Sequence, residues 1–139
     1  MGALRKAQYL YDNAEPAPDD GQAEAERIWI DNGVAELMAR RDYQFAIHGK
    51  LVGVTYERFA QAVDEHAMSE LGRSGISESV LGRLMLAALF KVPGDAAAAA
   101  EEIMACAKPA AVLEQLARDL LAPFALPGTQ AASEEAREL

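Results

Sequence analysis

Residues 80–90 read Val-Leu-Gly-Arg-Leu-Met-Leu-Ala-Ala-Leu-Phe and include the longest uninterrupted apolar run of this 139-residue chain, Leu84–Phe90. A helix that begins after Ser77 and runs to about Lys91 would carry a core stripe on one side, with Leu86 and Phe90 on the opposite side. A helix that is apolar nearly all round is usually buried. We therefore predict that this helix is the central element of the fold.

Four other helices are predicted from apolar residues that recur at helical spacing. Thr55 is a suitable N-cap for the second helix, and Asp95 can cap the fourth after Pro93-Gly94. Pro109 suits the first turn of the fifth helix, which Pro123 and Pro127 are expected to end. Short connections between the last three helices predict antiparallel neighbours. Besides the helix that begins after Ser77, the predicted helices cover about residues 21–41, 56–72 and 95–107, and a fifth begins at Pro109 with an apolar face from Val112 to Phe124.

Between the first two helices the apolar pattern changes to a period of two. Tyr43, Phe45 and Ile47 alternate with other residues, Gly49-Lys50 interrupts the pattern, and the apolar segment 51–54 follows. This pattern predicts a β-hairpin over about residues 43–54. Because two strands alone are only marginally stable, the hairpin must pack on helices.

The length suits one domain. We expect a mainly α-helical bundle of about five helices over residues 21–127, with the small β-hairpin between helices 1 and 2. Residues 1–20 are predicted to form an extended or flexible arm, because Pro16 and Pro18 oppose helix formation. Residues 128–139 are small and polar, and we predict that they form a flexible tail.

The charge balance limits the classes of partner. Thirteen basic and 22 acidic side chains give a net charge of -9, which disfavours nonspecific binding to nucleic acid or to anionic membranes. No apolar stretch approaches the roughly 18 residues of a membrane-spanning helix. The N-terminal residues lack the pattern of a secretory signal. These features predict a soluble cytoplasmic protein that does not associate with membranes.

The sequence contains few residues arranged for catalysis. His48 lies in the predicted hairpin turn, and the consecutive residues Asp64, Glu65 and His66 diverge by about 100° each on a helix and cannot converge on one ion. Cys106 has apolar neighbours and is interpreted as a small buried hydrophobe. Glycine-rich phosphate loops, nucleophile elbows and zinc-protease helices are not found. We predict no enzymatic activity, no cofactor and no metal.

Residues 75–84, Gly-Ile-Ser-Glu-Ser-Val-Leu-Gly-Arg-Leu, resemble the turn and recognition helix of helix-turn-helix DNA-binding proteins. The resemblance implies a DNA-binding regulator in which Ser77, Ser79 and Arg83 contact DNA. However, Arg83 is the only cation in this segment for phosphates or guanine edges, and the chain is acidic. A capped core helix is therefore the favoured interpretation, and DNA binding is the alternative.

Several large apolar or aromatic residues have no place in the predicted core stripes. They are Tyr9, Leu10 and Tyr11 in the arm, and Ile28 and Trp29 in the first helix. Such residues often anchor protein interfaces, or they can cover one another within the monomer. We predict a non-enzymatic accessory protein that binds a protein partner or associates with itself. An acidic mimic of nucleic acid is a variant of this prediction.

The segment Gln8-Tyr-Leu-Tyr-Asp-Asn13, followed by a proline-containing acidic stretch and a short helical domain, resembles small uncharacterised proteins encoded by bacterial phages and prophages. The resemblance implies a cytoplasmic accessory role without an assigned chemistry, and it carries over no functional residue.

Overall fold

The computed structural model describes residues 16–138, with the side chains of residues 21–135. This part of the chain is mainly α-helical, with a two-stranded antiparallel hairpin between the first two helices, which confirms the predicted fold class. A short 3₁₀ helix, Ala122–Phe124, precedes the last α-helix. The elements are α1 Pro16–Met38, β1 Tyr43–Ile47, β2 Lys50–Val54, α2 Tyr56–Leu71, α3 Val80–Leu89, α4 Pro93–Met104, α5 Pro109–Leu121 and α6 Ala125–Glu138.

The hairpin has the two-residue turn that its sequence favours. Tyr43 lies opposite Val54 at the open end of the ladder. His48 and Gly49 form the turn with φ angles of 51° and 79°, and two successive positive values are typical of the type I′ turn, which matches the twist of the strands. The start of the hairpin is tied to α2, because the Asp42 carboxylate accepts the backbone N–H of Tyr56 at 2.8 Å.

The main core lies between α1, the hairpin, the start of α2, α5 and α6. At its edge the ring centroids of Trp29 and Tyr43 are 4.8 Å apart, and those of Trp29 and Phe45 are 5.8 Å apart in an edge-to-face arrangement. The Tyr43 hydroxyl donates to the backbone oxygen of Trp29 at 3.0 Å. The buried members of this core are Trp29, Val34, Leu37, Val54, Phe59, Ala117, Leu121 and Ala125.

A second, smaller core lies between the end of α2, α3 and α4. Its buried members are Val80, Ala99 and Ile103, with Leu71 and Leu84 packed against them. α3 packs chiefly on α4, while α2 packs on both α4 and α5. The helical hairpin of α3 and α4 is therefore attached to one side of the main core.

The prediction that α3 is the buried central element is wrong. Only Val80 and Ala87 of this helix are buried, whereas Leu89 and Phe90 are 72% and 69% exposed. A helix that is apolar all round needs neighbours on every side to be buried. Here the other helices surround the main core, and the alanine-rich α4 covers only one side of α3.

The N-terminal prediction also needs correction. α1 begins at Pro16, so residues 16–20 are helical and not part of an extended arm. Pro16 and Pro18 lie in the first turn, where the backbone N–H groups have no acceptor within the helix and a proline removes no hydrogen bond. Residues 1–15 of the predicted arm lie outside the described residues.

At the other end, residues 125–138 form α6 and not the predicted flexible tail. Pro127 does not end a helix, because it lies in the first turn of α6, where a proline is tolerated. α6 packs on α1 and β1. A side chain at Gly128 would collide with the indole ring of Trp29, so this glycine allows the two helices to approach each other closely.

Candidate protein-interaction surface

The solvent side of α3 is formed by large apolar residues. Met85, Leu86 and Leu89 follow Gly82 at helical spacing and lie opposite the buried residues Val80 and Ala87. Side chains at the ends of the helix widen this surface. We call the α3 face the six residues that are between 40% and 72% exposed here: Leu81, Met85, Leu86, Leu89, Phe90 and Val92.

The α3 face is large for the surface of a monomer. With roughly 200 Å² for a fully exposed residue of this size, the six exposed fractions amount to about 700 Å². The largest apolar patch of a typical monomeric protein covers roughly 300–600 Å² and often has a function. The size of the α3 face makes it the candidate interaction surface among the described residues.

None of the six residues of the α3 face is charged, although the exposed Lys91 lies between Phe90 and Val92 in the chain. Arg83 is the only charged residue of α3, and its Nη2 atom lies 2.7 Å from Oε1 of Glu102 on α4. This ion pair holds the guanidinium at the border of the face, on the side toward α4. A partner that covers the face would thus bury few charged groups, which lowers the desolvation cost of binding.

A groove of about 340 Å³ runs between α3 and α4 beside this surface. Its apolar wall includes Leu86 and Phe90, and Ala87 and Ala98 leave space between the helices because their side chains are small. Arg83 and Asp95 are the two charged residues that line it. The groove continues the α3 face toward α4 and can accept an apolar side chain of a partner.

Glu102 connects α4 to the segment that leads into α3. Its carboxylate accepts the backbone N–H of Ser77 and pairs with Arg83. The hydroxyl and the backbone N–H of Ser77, and then the Arg83 guanidinium, lower the pKa of Glu102 to about 2. The carboxylate is therefore charged at neutral pH and fixes the start of α3 relative to α4.

Arg73 connects the same end of α4 to α2. Its guanidinium donates to the backbone oxygen of Glu102 at 2.9 Å and pairs with Glu70 at 2.8 Å. Because the last carbonyl groups of a helix have no partner within the helix, this contact caps α4 and suits its negative C-terminal end. Arg73 and Glu102 together hold the helical hairpin that carries the α3 face.

We expect the Glu102→Gln variant to be less stable than the wild type at neutral pH, because glutamine cannot pair electrostatically with Arg83. The pKa of Glu102 lies below its ordinary value of 4.5, so the stabilisation by the carboxylate is complete above that pH and is lost as the pH falls toward 2. Urea unfolding of both proteins at neutral and acid pH should therefore show a difference that shrinks in acid. Glu101→Gln, at the exposed neighbouring position, is the control. An equal difference at both pH values would contradict this account.

The interface residues predicted from the sequence differ in whether the structure describes them and in how exposed they are. Tyr9, Leu10 and Tyr11 lie outside the described residues. Ile28 is 47% exposed and remains available for contact. Trp29, in contrast, is buried among the residues of the main core. Its indole cannot contact a partner, and the prediction of an interface at Trp29 is corrected to a core position.

The residues of the DNA-binding alternative are engaged within the chain. Ser77 donates its backbone N–H to Glu102, and the Arg83 guanidinium bonds to both Glu102 and the Ser79 hydroxyl. α3 packs chiefly on α4 and not on the preceding helix α2. Apart from Arg83, α3 carries no cation, and the next one along the chain is Lys91 in the turn after the helix, so few cations are available to DNA phosphates. DNA binding stays a prediction that this arrangement does not favour.

The other polar candidates are dispersed. His48 is exposed in the hairpin turn, and His66 lies partly exposed on α2. The Cys106 thiol accepts the backbone N–H of Lys108 at 3.4 Å and is only partly buried, so the expectation of a fully buried cysteine is wrong. Among the residues that the structure describes, no group of three or more His, Cys, Asp or Glu side chains is placed to hold a metal ion.

No family model, curated protein or solved structure matches the chain. Within residues 16–138, none of the helices combines the length and apolar character needed to cross a membrane.

The apolar pattern of residues 80–90 predicts that the helix carrying the α3 face is buried on nearly all sides. Leu86 and Phe90 were placed opposite the predicted core stripe, and this position was the available signal for an exposed surface. An all-round apolar helix is compatible with burial inside a monomer and with burial against a second chain. The alanine-rich sequence of α4 favours the second possibility, because such a helix covers little area.

Proposed function

We propose that this chain is a non-enzymatic accessory protein that acts by protein–protein interaction and that associates with a second copy of itself through the α3 face. The observation that carries the proposal is the apolar surface of about 700 Å² that six uncharged residues form on one helix and the turn after it. Exposed apolar surface of this extent is costly in water, and covering it provides the driving force for association.

The area of the face supports a second copy as the partner. A stable interface of standard size buries about 800 Å² on each partner, and the α3 face alone approaches this value. Most soluble oligomers are symmetric, and in a two-fold dimer the same patch covers itself. The α3 face suits this arrangement, because an apolar surface without charges complements an identical surface.

The charge of the chain predicts how salt affects this self-association. Each copy carries a net charge of -9, so two copies repel each other at long range, although the face itself is uncharged. Salt screens this repulsion, since the Debye length falls from about 30 Å at 0.01 M to about 8 Å at 0.15 M. The proposal therefore predicts tighter association as the salt concentration rises, opposite to the behaviour of a complex with DNA.

Sedimentation equilibrium of the full chain from micromolar to sub-millimolar concentration tests the proposal. We expect the wild-type mass to rise from that of the 14.9 kDa monomer toward twice this value. The Leu89→Glu variant should remain monomeric, because it places a charge in the centre of the face, whereas its effect on the monomer should be within about 0.5 kcal/mol. Met68→Glu is the matched control, since Met68 is 60% exposed on α2 and the substitution adds the same charge outside the face.

A wild-type chain that stays monomeric throughout this range would overturn the proposal. Binding of the monomer to neutral lipid vesicles, or to a different protein, in a manner that Leu89→Glu abolishes, would assign the face to that other partner. Equal dissociation by Leu89→Glu and Met68→Glu would also contradict the proposal, because it would show that association depends on total charge and not on the α3 face.

A further inference from the structure

Gly82 lies on the exposed side of the first turn of α3, where the monomer gives no reason for a glycine. Its backbone does not have the positive φ angle found at Gly49, Gly53 and Gly75. A Cβ atom built at Gly82 meets no atom within 4 Å. Glycine inside a helix costs stability relative to alanine. The monomer therefore bears this cost without any gain in backbone freedom or packing.

Other helical glycines show what close packing requires. A Cβ atom at Gly33 would lie 2.6 Å from the Tyr43 ring, and one at Gly128 would collide with Trp29. Both glycines lie where another element approaches the helix backbone. Gly21 of α1 is also open to solvent, but its sequence neighbours Asp19, Asp20 and Gln22 are polar. Gly82 differs because Met85 and Leu86, one turn after it on the same side of the helix, are exposed and apolar.

Gly82, Met85, Leu86 and Leu89 have the spacing i, i+3, i+4 and i+7, which places them in one stripe along the helix. A stripe of this kind is the contact line of packed helices. A small residue in the stripe lets the partner backbone come closer and lets large side chains from the partner fit beside it. Gly82 and the large residues that follow it thus provide both a recess and the side chains to fill one.

We infer that in the self-associated form α3 of one copy packs directly on α3 of the second copy along this stripe, with Gly82 at the closest approach of the two helices. The inference rests on the proposed self-association and adds the contacting element and its geometry. A two-fold axis would bring the same stripe from each copy together, so that large side chains of one copy lie over Gly82 of the other.

The Gly82→Glu variant tests this arrangement. Glutamate favours the helical conformation more than glycine does, and open space surrounds the position, so the folded monomer should be at least as stable as the wild type. In the dimer the carboxylate would be buried between two apolar helices, which is costly. We expect the dissociation constant to rise by at least about 30-fold. Gly21→Glu is the control, because it makes the same exchange at an exposed helical glycine outside the stripe.

Sedimentation equilibrium gives the dissociation constants, and circular dichroism with urea unfolding verifies that each monomer is folded. Gly82→Ala serves as a second variant that adds one methyl group and no charge. It should stabilise the monomer and still weaken the dimer. Weaker association of both Gly82 variants, with a wild-type value for Gly21→Glu, is the result expected.

Two negative results have different meanings. If the wild type is monomeric throughout, the proposed function and this inference both fail. If the wild type dimerises and Leu89→Glu disrupts the dimer, but Gly82→Glu and Gly82→Ala leave the dissociation constant unchanged, the α3 face is still the interface. In that case the two α3 helices do not meet at Gly82, and the inference is overturned while the proposed function stands.

Discussion

Replacement of Trp29 by alanine is expected to lower the free energy of unfolding by about 3–5 kcal/mol. The indole lies in the main core, where it packs on Tyr43 and Phe45 from the hairpin and covers Gly128 of α6. Its removal leaves a cavity between three elements that cannot collapse independently. Urea unfolding followed by far-ultraviolet circular dichroism measures the change, because the variant no longer contains a tryptophan to report by fluorescence.

Ile28→Ala is the control for this prediction. Ile28 is the preceding residue of α1 and is 47% exposed, so its truncation should cost less than about 1 kcal/mol. A small and equal loss for both variants would contradict the assignment of Trp29 to the core. Such a result would instead support the interface role that the sequence suggested for this residue.

Gly128→Ala is expected to destabilise the chain by about 1–3 kcal/mol, although alanine is the better helix former. The added Cβ atom would collide with the indole ring of Trp29, so that α6 or the hairpin must move away from α1. Urea unfolding monitored by Trp29 fluorescence reports the change at the site itself.

Gly21→Ala is the control, because it should change the free energy of unfolding in the opposite direction. A Cβ atom at Gly21 meets nothing within 4 Å, so alanine should raise the free energy of unfolding by up to about 1 kcal/mol through helix propensity alone. If Gly128→Ala stabilised the chain to the same extent, α6 would not pack on Trp29. The C-terminal residues would then behave as the flexible tail that their polar composition indicates.

Local sequence signals predicted most of the secondary structure because they act over a few residues. The alternation at Tyr43, Phe45 and Ile47 indicated the hairpin, and His48-Gly49 could adopt the positive φ angles of its turn. Thr55 was predicted as the N-cap of α2, and its side chain accepts the backbone N–H of Arg58 at 3.0 Å. Periods and caps of this kind depend little on the rest of the fold.

The position of α3 in the fold could not be obtained in this way. Hydrophobic periodicity shows which sides of a helix avoid water, but it does not show whether the covering surface belongs to the same chain. The other large apolar residues are largely used in the main core, and α4 offers mostly alanines to α3. The outer side of α3 is exposed because the rest of the chain offers too little apolar surface to cover it. The apolar pattern of α3 itself does not decide this.

The C-terminal helix was missed for a related reason. Pro123 and Pro127 predict the end of the fifth helix, since proline disrupts helix interiors, and the small polar residues from 128 onward predict a tail. In the structure Pro127 lies in the first turn of α6 and Gly128 lies against an indole from α1. The sequence shows neither where the first turn of α6 begins nor which distant aromatic ring packs on Gly128. The tertiary contact that explains this glycine could therefore not be predicted.

Oxidation of methionine side chains tests the coverage of the α3 face most directly. Met85 on α3 and Met68 on α2 are 64% and 60% exposed in one copy of the chain, so the two side chains should react at similar rates in dilute solution. Mass spectrometry after brief exposure to peroxide measures both rates in one sample. As the protein concentration rises, oxidation of Met85 should slow while oxidation of Met68 remains constant. Equal rates for the two residues at every concentration would contradict self-association through the α3 face.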